Sequence, residues 1–202
     1  MKKIAIVIFL IFASIAGIAQ DKYFYINLDV NTPLSNTDWI SSTSARGLRA
    51  GYRVFLNEKF SAGLDISWSA FDQYLPTQTI ENGNGAITTD YFKYIYSYSV
   101  AASGQYNFKV GDGETLIPYA GLGLGAMNNE YVLYYNIYKD TERSWGFLAR
   151  PEAGLLVKIG RRRSIGAMAA VHYDYATNQS EKFNYNRFSA LGFQIGVVFV
   201  QW

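Results

Sequence analysis

Beyond residue 22 the sequence alternates between apolar and polar residues with period two, a pattern that fits strands and little else. In the run 23–32, Phe24, Ile26, Leu28 and Val30 fall on one face, and Tyr25, Asn27, Asp29 and Asn31 on the other. The run 91–108 sets Tyr94, Tyr96, Tyr98, Val100 and Ala102 against Ser97, Ser99, Ser103, Gln105 and Asn107. Similar runs at 46–56, 60–72, 117–128, 145–159, 164–176 and 187–202 bring the expected strands to eight. Their connections alternate in length. Those near 57–58, 109–116 and 160–163 are short or moderate, whereas 33–45, 73–90, 129–144 and 177–186 are long and polar. Short turns on one side and long loops on the other are the layout of an outer-membrane barrel.

The two faces differ in charge. One carries Asp29, Arg49, Arg53, Asp65, Arg150, Glu152, Lys158 and Asp174, mixed with glycine and serine; the other is nearly free of charge. A soluble eight-stranded barrel would turn the apolar face inward and the charged face to water. A membrane barrel does the reverse, because charge on the lipid face costs about 2–4 kcal/mol at the midplane. Two further features favour the membrane. Leu191–Trp202 reads as one strand running to the last residue, as expected where a final strand must pair with the first to leave no edge in lipid. At the other end, Lys2-Lys3, an apolar run from Ile4 to Ile15 and the small residues Gly17 and Ala19 form an export signal, with cleavage expected after Ala19. The run is short for a retained anchor.

The expectation is therefore an all-β protein: a signal peptide over 1–19 and an eight-stranded antiparallel transmembrane barrel over 20–202, both termini periplasmic. No cysteine is present, so there are no disulfides and no lipoprotein anchor. Without Lys2 and Lys3 the basic and acidic residues balance, which leaves no electrostatic footprint for nucleic acid. The last strand poses a register question. Leu191, Phe193, Ile195, Val197 and Phe199 share the apolar face, but that parity puts Trp202 on the other side unless a bulge intervenes.

On these residues the chain resembles the small outer-membrane β-barrel superfamily, the OmpA/OmpX-type eight-stranded barrels and the broad "porin family". The stretches that carry the likeness are Gly17-Ile18-Ala19-Gln20, Pro118–Gly125, Arg150–Leu155 and the ending Phe199–Trp202. The signal junction and the Pro118-Tyr119 strand are similar to proteins of Bacteroidota-like Gram-negative bacteria. The resemblance implies residence among outer-membrane lipids, assembly by the barrel-assembly machinery through Phe199 and Trp202, and a surface partner met by the long loops. In this family pattern the last residue is usually Phe or Tyr, with an aromatic two positions earlier; here Trp202 and Val200 stand there.

Candidate chemistry gathers on the polar face: Asp29, Arg49, Arg53, Asp65, Gln105, Arg150, Glu152, Lys158, His172 and Asp174. An eight-stranded barrel is just wide enough to be filled by its side chains, and buried charges must pair, so a packed polar core is expected; the alternative is a narrow gated pore. His172 with Asp174 is half of a hydrolase triad, which makes a membrane-embedded lipid hydrolase or acyltransferase the third reading after scaffold and pore, but the serines lie on remote strands, so a structural histidine is expected and no enzyme. One histidine and no cysteine leave no basis for a transition-metal site, and no cofactor is implied. Gly121-x-Gly123-x-Gly125 sits inside a strand rather than on a strand-to-helix turn, which argues for room on the inner face and against a dinucleotide loop. Arg161–Arg163 is a basic turn. Tyr91, Tyr94, Tyr96, Tyr131, Tyr134, Tyr135, Tyr138, Tyr173 and Tyr175 are expected as an interfacial girdle. Glu130–Tyr138 keeps its alternation past the membrane, which suggests a protruding hairpin able to pair with a partner strand.

Overall fold

The computed structural model describes residues 21–82, 85–108, 115–159 and 164–201. The expected signal peptide (1–19), the Gly111-Asp112-Gly113 turn, Arg161–Arg163 and Trp202 lie outside the described residues. Eight strands follow in order: β1 (Lys22–Pro33), β2 (Gly47–Phe55), β3 (Phe60–Asn82), β4 (Gly85–Asn107), β5 (Leu116–Tyr135), β6 (Tyr138–Ile159), β7 (Ile165–Ala176) and β8 (Phe188–Gln201). Each pairs antiparallel with its sequence neighbour, and β1 with β8 closes the ring. No helix occurs among the described residues.

Period-two alternation becomes inside-and-outside alternation. Along β1, Tyr23, Tyr25, Asn27, Asp29 and Asn31 are buried in the lumen while Phe24, Ile26, Leu28 and Val30 are exposed. Leu64, Ile66, Val100, Leu122, Leu124, Val171, Phe193 and Ile195 continue an apolar outer surface. Between Phe60 and Ala70 on β3 and between Tyr98 and Phe108 at the β4 end, every outward position is uncharged. The charges begin above, at Arg46, Asp72, Glu130 and Arg143. That surface is a lipid belt.

The final strand settles part of its register question. β8 pairs with β1 without interruption from Ala190↔Pro33 to Gln201↔Lys22, and with β7 from Phe188↔Ala176 to Phe199↔Ile165. No bulge occurs through Gln201; Phe199 faces out and Val200 is buried.

The long connections correct the sequence reading. Two are loops, 34–46 and 177–187, but 73–90 and 129–144 are mostly strand. β3 and β4 pair as far as Asn82↔Gly85, with a register shift between Leu75 and Gln78. Pro76 stands at that shift, where a residue without an amide hydrogen is tolerated. β5 and β6 pair to Tyr135↔Tyr138, and Asn136 takes the left-handed conformation (φ 52°) that a tight hairpin requires and asparagine tolerates. These segments read as loops because, above the membrane, no lipid phase imposes a strict apolar–polar alternation on the strands. The expected Glu130–Tyr138 hairpin is present. On the opposite side the β2–β3 turn is held by Asn57, whose Oδ1 accepts from the amides of Lys59 and Phe60, both at 2.9 Å.

Candidate functional site

Strand parity sends the candidate residues into one lumen, and the geometry there is a dense ionic lattice. All ten of Asp29, Arg49, Arg53, Asp65, Gln105, Arg150, Glu152, Lys158, His172 and Asp174 are buried. Arg49 bridges Glu152 (2.8 Å) and Asp65 (3.4 Å), and Arg53 reaches the same two carboxylates at 3.3 and 3.0 Å. Arg53 also donates to the Ser103 hydroxyl at 2.8 Å. Asp65 further accepts from the Tyr25 and Ser103 hydroxyls. Glu152 accepts from Gln105 Nε2 (2.6 Å) and Gln194 Nε2 (3.4 Å). Nearer the raised end, Arg150 grips Asp174 through two nitrogens, the Nη2–Oδ2 contact at 2.6 Å, and donates to Ser67 at 3.2 Å. Charge-assisted, forked contacts of this kind are what a buried guanidinium needs to offset its desolvation.

His172 sits between two carboxylates: Nε2 lies 2.9 Å from Asp29 and Nδ1 3.1 Å from Asp174. Neither ring nitrogen is left for a hydroxyl. Ser67 and Ser99 are 2.6 Å from each other and occupied by Arg150, so the triad geometry is not assembled. Room for these side chains comes from glycine. A Cβ on Gly192 would stand 2.2 Å from His172 Nε2, and one on Gly51 would stand 2.4 Å from Asp65 Oδ1 and 2.5 Å from the Tyr25 ring. Gly123, by contrast, has only ordinary contacts at 3.7 Å, so that glycine of the triplet is not making room for a neighbour.

Apolar layers lie on both sides of the lattice. Towards the chain termini, Tyr23, Tyr119, Leu156, Met168 and Val198 fill the lumen, with Lys158 buried just beyond Leu156. At the raised end, Phe71, Ile95, Tyr131 and Phe188 meet Ile40 from loop 34–46 and Tyr185 from loop 177–187. Tyr185 stacks 4.9 Å from Tyr131 and donates to the Ser35 carbonyl at 3.2 Å, tying the two loops together over the mouth. Tyr91, Tyr131 and Tyr135 therefore depart from the expected girdle: all three lie on the inner face, because odd positions of β4 and β5 point that way, and Tyr91 and Tyr131 are buried there. Sequence reasoning also missed Tyr25 and Ser103 as lattice members, although both stood at polar-face parity. The capping role of Ile40 and Tyr185 left no periodic signal.

Above the belt, β3 to β6 continue as a raised sheet. Its inner face covers the mouth, and its outer face carries rings: Tyr74 against Phe92 (4.9 Å), and Tyr94 against both Tyr96 and Tyr134 (5.8 Å each). Loop 177–187 leans on the β6 margin, where Asn178 Nδ2 donates to the carbonyls of Met127 (3.0 Å) and Ser144 (2.6 Å).

A closed eight-stranded ring with a charged lumen and a lipid belt has a family counterpart. A model of the "Outer membrane protein beta-barrel domain" matches residues 5–200. The chain belongs to that family. Comparison with curated proteins finds no match. Among solved structures, Ail, the attachment invasion locus protein of Yersinia pestis crystallised with the heparin analogue sucrose octasulfate, superposes with a TM-score of 0.53. It is 14% identical, over 91% of this chain and 100% of that one. Neisserial surface protein A superposes at 0.52 with 16% identity, covering 88% and 96% of the two chains. OprG of Pseudomonas aeruginosa follows at 0.50 and 14%, covering 91% and 96%. At such identities the likeness is one of fold. This family member is an integral protein of the cell outer membrane, its belt embedded in the lipids there.

Proposed function

We propose that this outer-membrane barrel is a non-enzymatic structural protein and surface-interaction scaffold with a closed interior. The raised sheet carries that reading. A barrel strand needs about 9–11 residues to cross the bilayer, whereas β3 and β4 have 23 each. The excess of about 12–14 residues amounts to roughly 40–45 Å of strand length at about 3.3 Å per residue. On the β2 side, β3 pairs only as far as Ser69↔Gly47, and Ser41 meets Gln73 above it. From Tyr74 onward its described neighbour is β4, so one edge is open to an added strand.

In this reading the signal peptide is removed after Ala19, both termini face the periplasm, and the barrel-assembly machinery reads the ending at Phe199 and Trp202. The sheet and loops then face outward to a surface partner. The ten interior residues lock the wall rather than line a path, supported by the apolar layers above and below them. An occupied His172 supports the non-enzymatic assignment, and lipid mass should be unchanged after His172→Ala.

Orientation is tested with Ile137→Cys at the exposed β5–β6 turn, which should react with a membrane-impermeant maleimide on intact cells. Partner binding is tested by deleting 130–142: surface binding unaffected by the deletion would sink the interaction role. Heat-modifiable mobility in SDS verifies that each variant is still a folded barrel.

A further inference from the structure

The outer wall of β2, β3 and β4 is not uniform, and its rows stack into a column of changing chemistry. The row Ala50–Ile66–Val100 contains one small residue. With Leu48, Trp68 and Tyr98 from the row above, Ala50 and Ile66 line an open, almost wholly apolar notch of about 280 Å³. The next row brings Arg46, whose carbonyl accepts from the Ala70 amide, beside Tyr96. Arg46 is ion-paired to Asp72 one row higher, and both side chains are substantially exposed (58% and 44%). Asp72 stands across from Tyr94, and Tyr74 from Phe92. Tyr94 and Tyr96, both half-buried, lie with their ring planes parallel (1°) and their centroids 5.8 Å apart, forming an aromatic shelf.

From the belt outward, the order is an acyl-sized notch, an interfacial tryptophan and tyrosine, a guanidinium–carboxylate pair, and an aromatic shelf. We infer that this column is a binding site for one saccharide-bearing lipid of the outer leaflet. Its acyl chain seats at Ala50, and its sugars lie on Tyr94 and Tyr96 with their hydroxyls bonded by Arg46 and Asp72. The ligand class follows from the chemistry. Aromatic faces stack on the C–H faces of sugars, and an exposed guanidinium–carboxylate pair offers donors and acceptors to hydroxyls at little cost, since such a pair adds little stability by itself. A plain phospholipid has an acyl chain for the notch but nothing for the shelf. The column is continuous with the lipid belt, so the occupant arrives from the same membrane. This inference rests on the raised sheet facing out of the cell, where such lipids reside.

The test is native mass spectrometry of the refolded full chain with rough lipopolysaccharide, lipid A without core sugars, or phosphatidylglycerol. Rough lipopolysaccharide should be retained best, and both Ala50→Phe and the pair Tyr94→Ala, Tyr96→Ala should lower its retention about tenfold, the loss expected from roughly 1.4 kcal/mol of contact. Phosphatidylglycerol retention should not change in the tyrosine variant. Equal retention of rough lipopolysaccharide and phosphatidylglycerol, which carries no sugar, would overturn the sugar assignment. Unchanged retention by both variants, each still heat-modifiable, would overturn the site. Should Ile137→Cys label from outside while retention is indifferent to the variants, only this inference fails. Should it not label, the orientation and this inference fail together.

Discussion

Wall and raised sheet are made of the same strands, yet they solve opposite problems. Within the belt, β4 turns Val100 and Tyr98 to lipid and Ser99 and Gln105 to a packed polar lumen, so every position is specified by the phase it meets. A few residues further along, the same strand holds Thr88, Thr89 and Asp90, with water on both sides. The barrel is locked by burial and charge pairing; the ribbon above it is held, among the described residues, by its ladder and contacts such as Thr79 to Thr88 at 2.8 Å. Rigidity in one part lets the other stand in solvent as a tolerant, exposed surface.

The sharpest way to break that contrast is to remove one lattice partner. Asp65→Ala strips Arg49, Arg53 and Tyr25 of a shared acceptor and should cost about 3–5 kcal/mol in a reversible unfolding assay in detergent or lipid. Next comes charge on the outside. Ile66→Arg should cost about 2–4 kcal/mol, while Thr79→Arg on the exposed ribbon should stay within about 0.5 kcal/mol. Equal costs would mean that the ribbon is not in water. Gly192→Ala should cost about 1–3 kcal/mol, since its Cβ collides with His172.

The smallest effect belongs to the raised region. Asp140, at the β5–β6 end, is held below the usual carboxylate range, chiefly by the hydrogen bond from Lys182 at 2.7 Å. A depressed folded-state value means the contact stabilises above the ordinary carboxylate value of about 4 and is lost as pH falls through the lower folded value. Protection from amide exchange around 177–187, taken relative to the intrinsic rate at each pH, should therefore fall on acidification below about pH 4 in the native chain, and Lys182→Ala should remove most of that dependence.

Much of the wall was legible because two solvents wrote the pattern. Asp29, Arg49, Glu152 and Asp174 stood at lumen parity beside lipid-facing neighbours, which is why the inner and outer sets could be separated residue by residue. Which carboxylate meets which arginine was not legible, since that depends on how far strands shear around the closed ring. The ribbon was misread as loop for the converse reason: Thr77, Thr79 and Thr88 have no second phase to alternate against. Asn82-Gly83 and Asn136 were the hairpin signals present in the sequence. Ile40 and Tyr185 cap the mouth from loops, where no periodicity marks a buried side chain.

The central claim is that the lumen is sealed and the working surface lies outside it. Planar-bilayer recording of the refolded chain tests this most directly. The account predicts no stable conductance steps from the heat-modifiable barrel. Reproducible open currents, abolished by substituting Arg49 or Arg150, would contradict it and make the ionic lattice a conduction path.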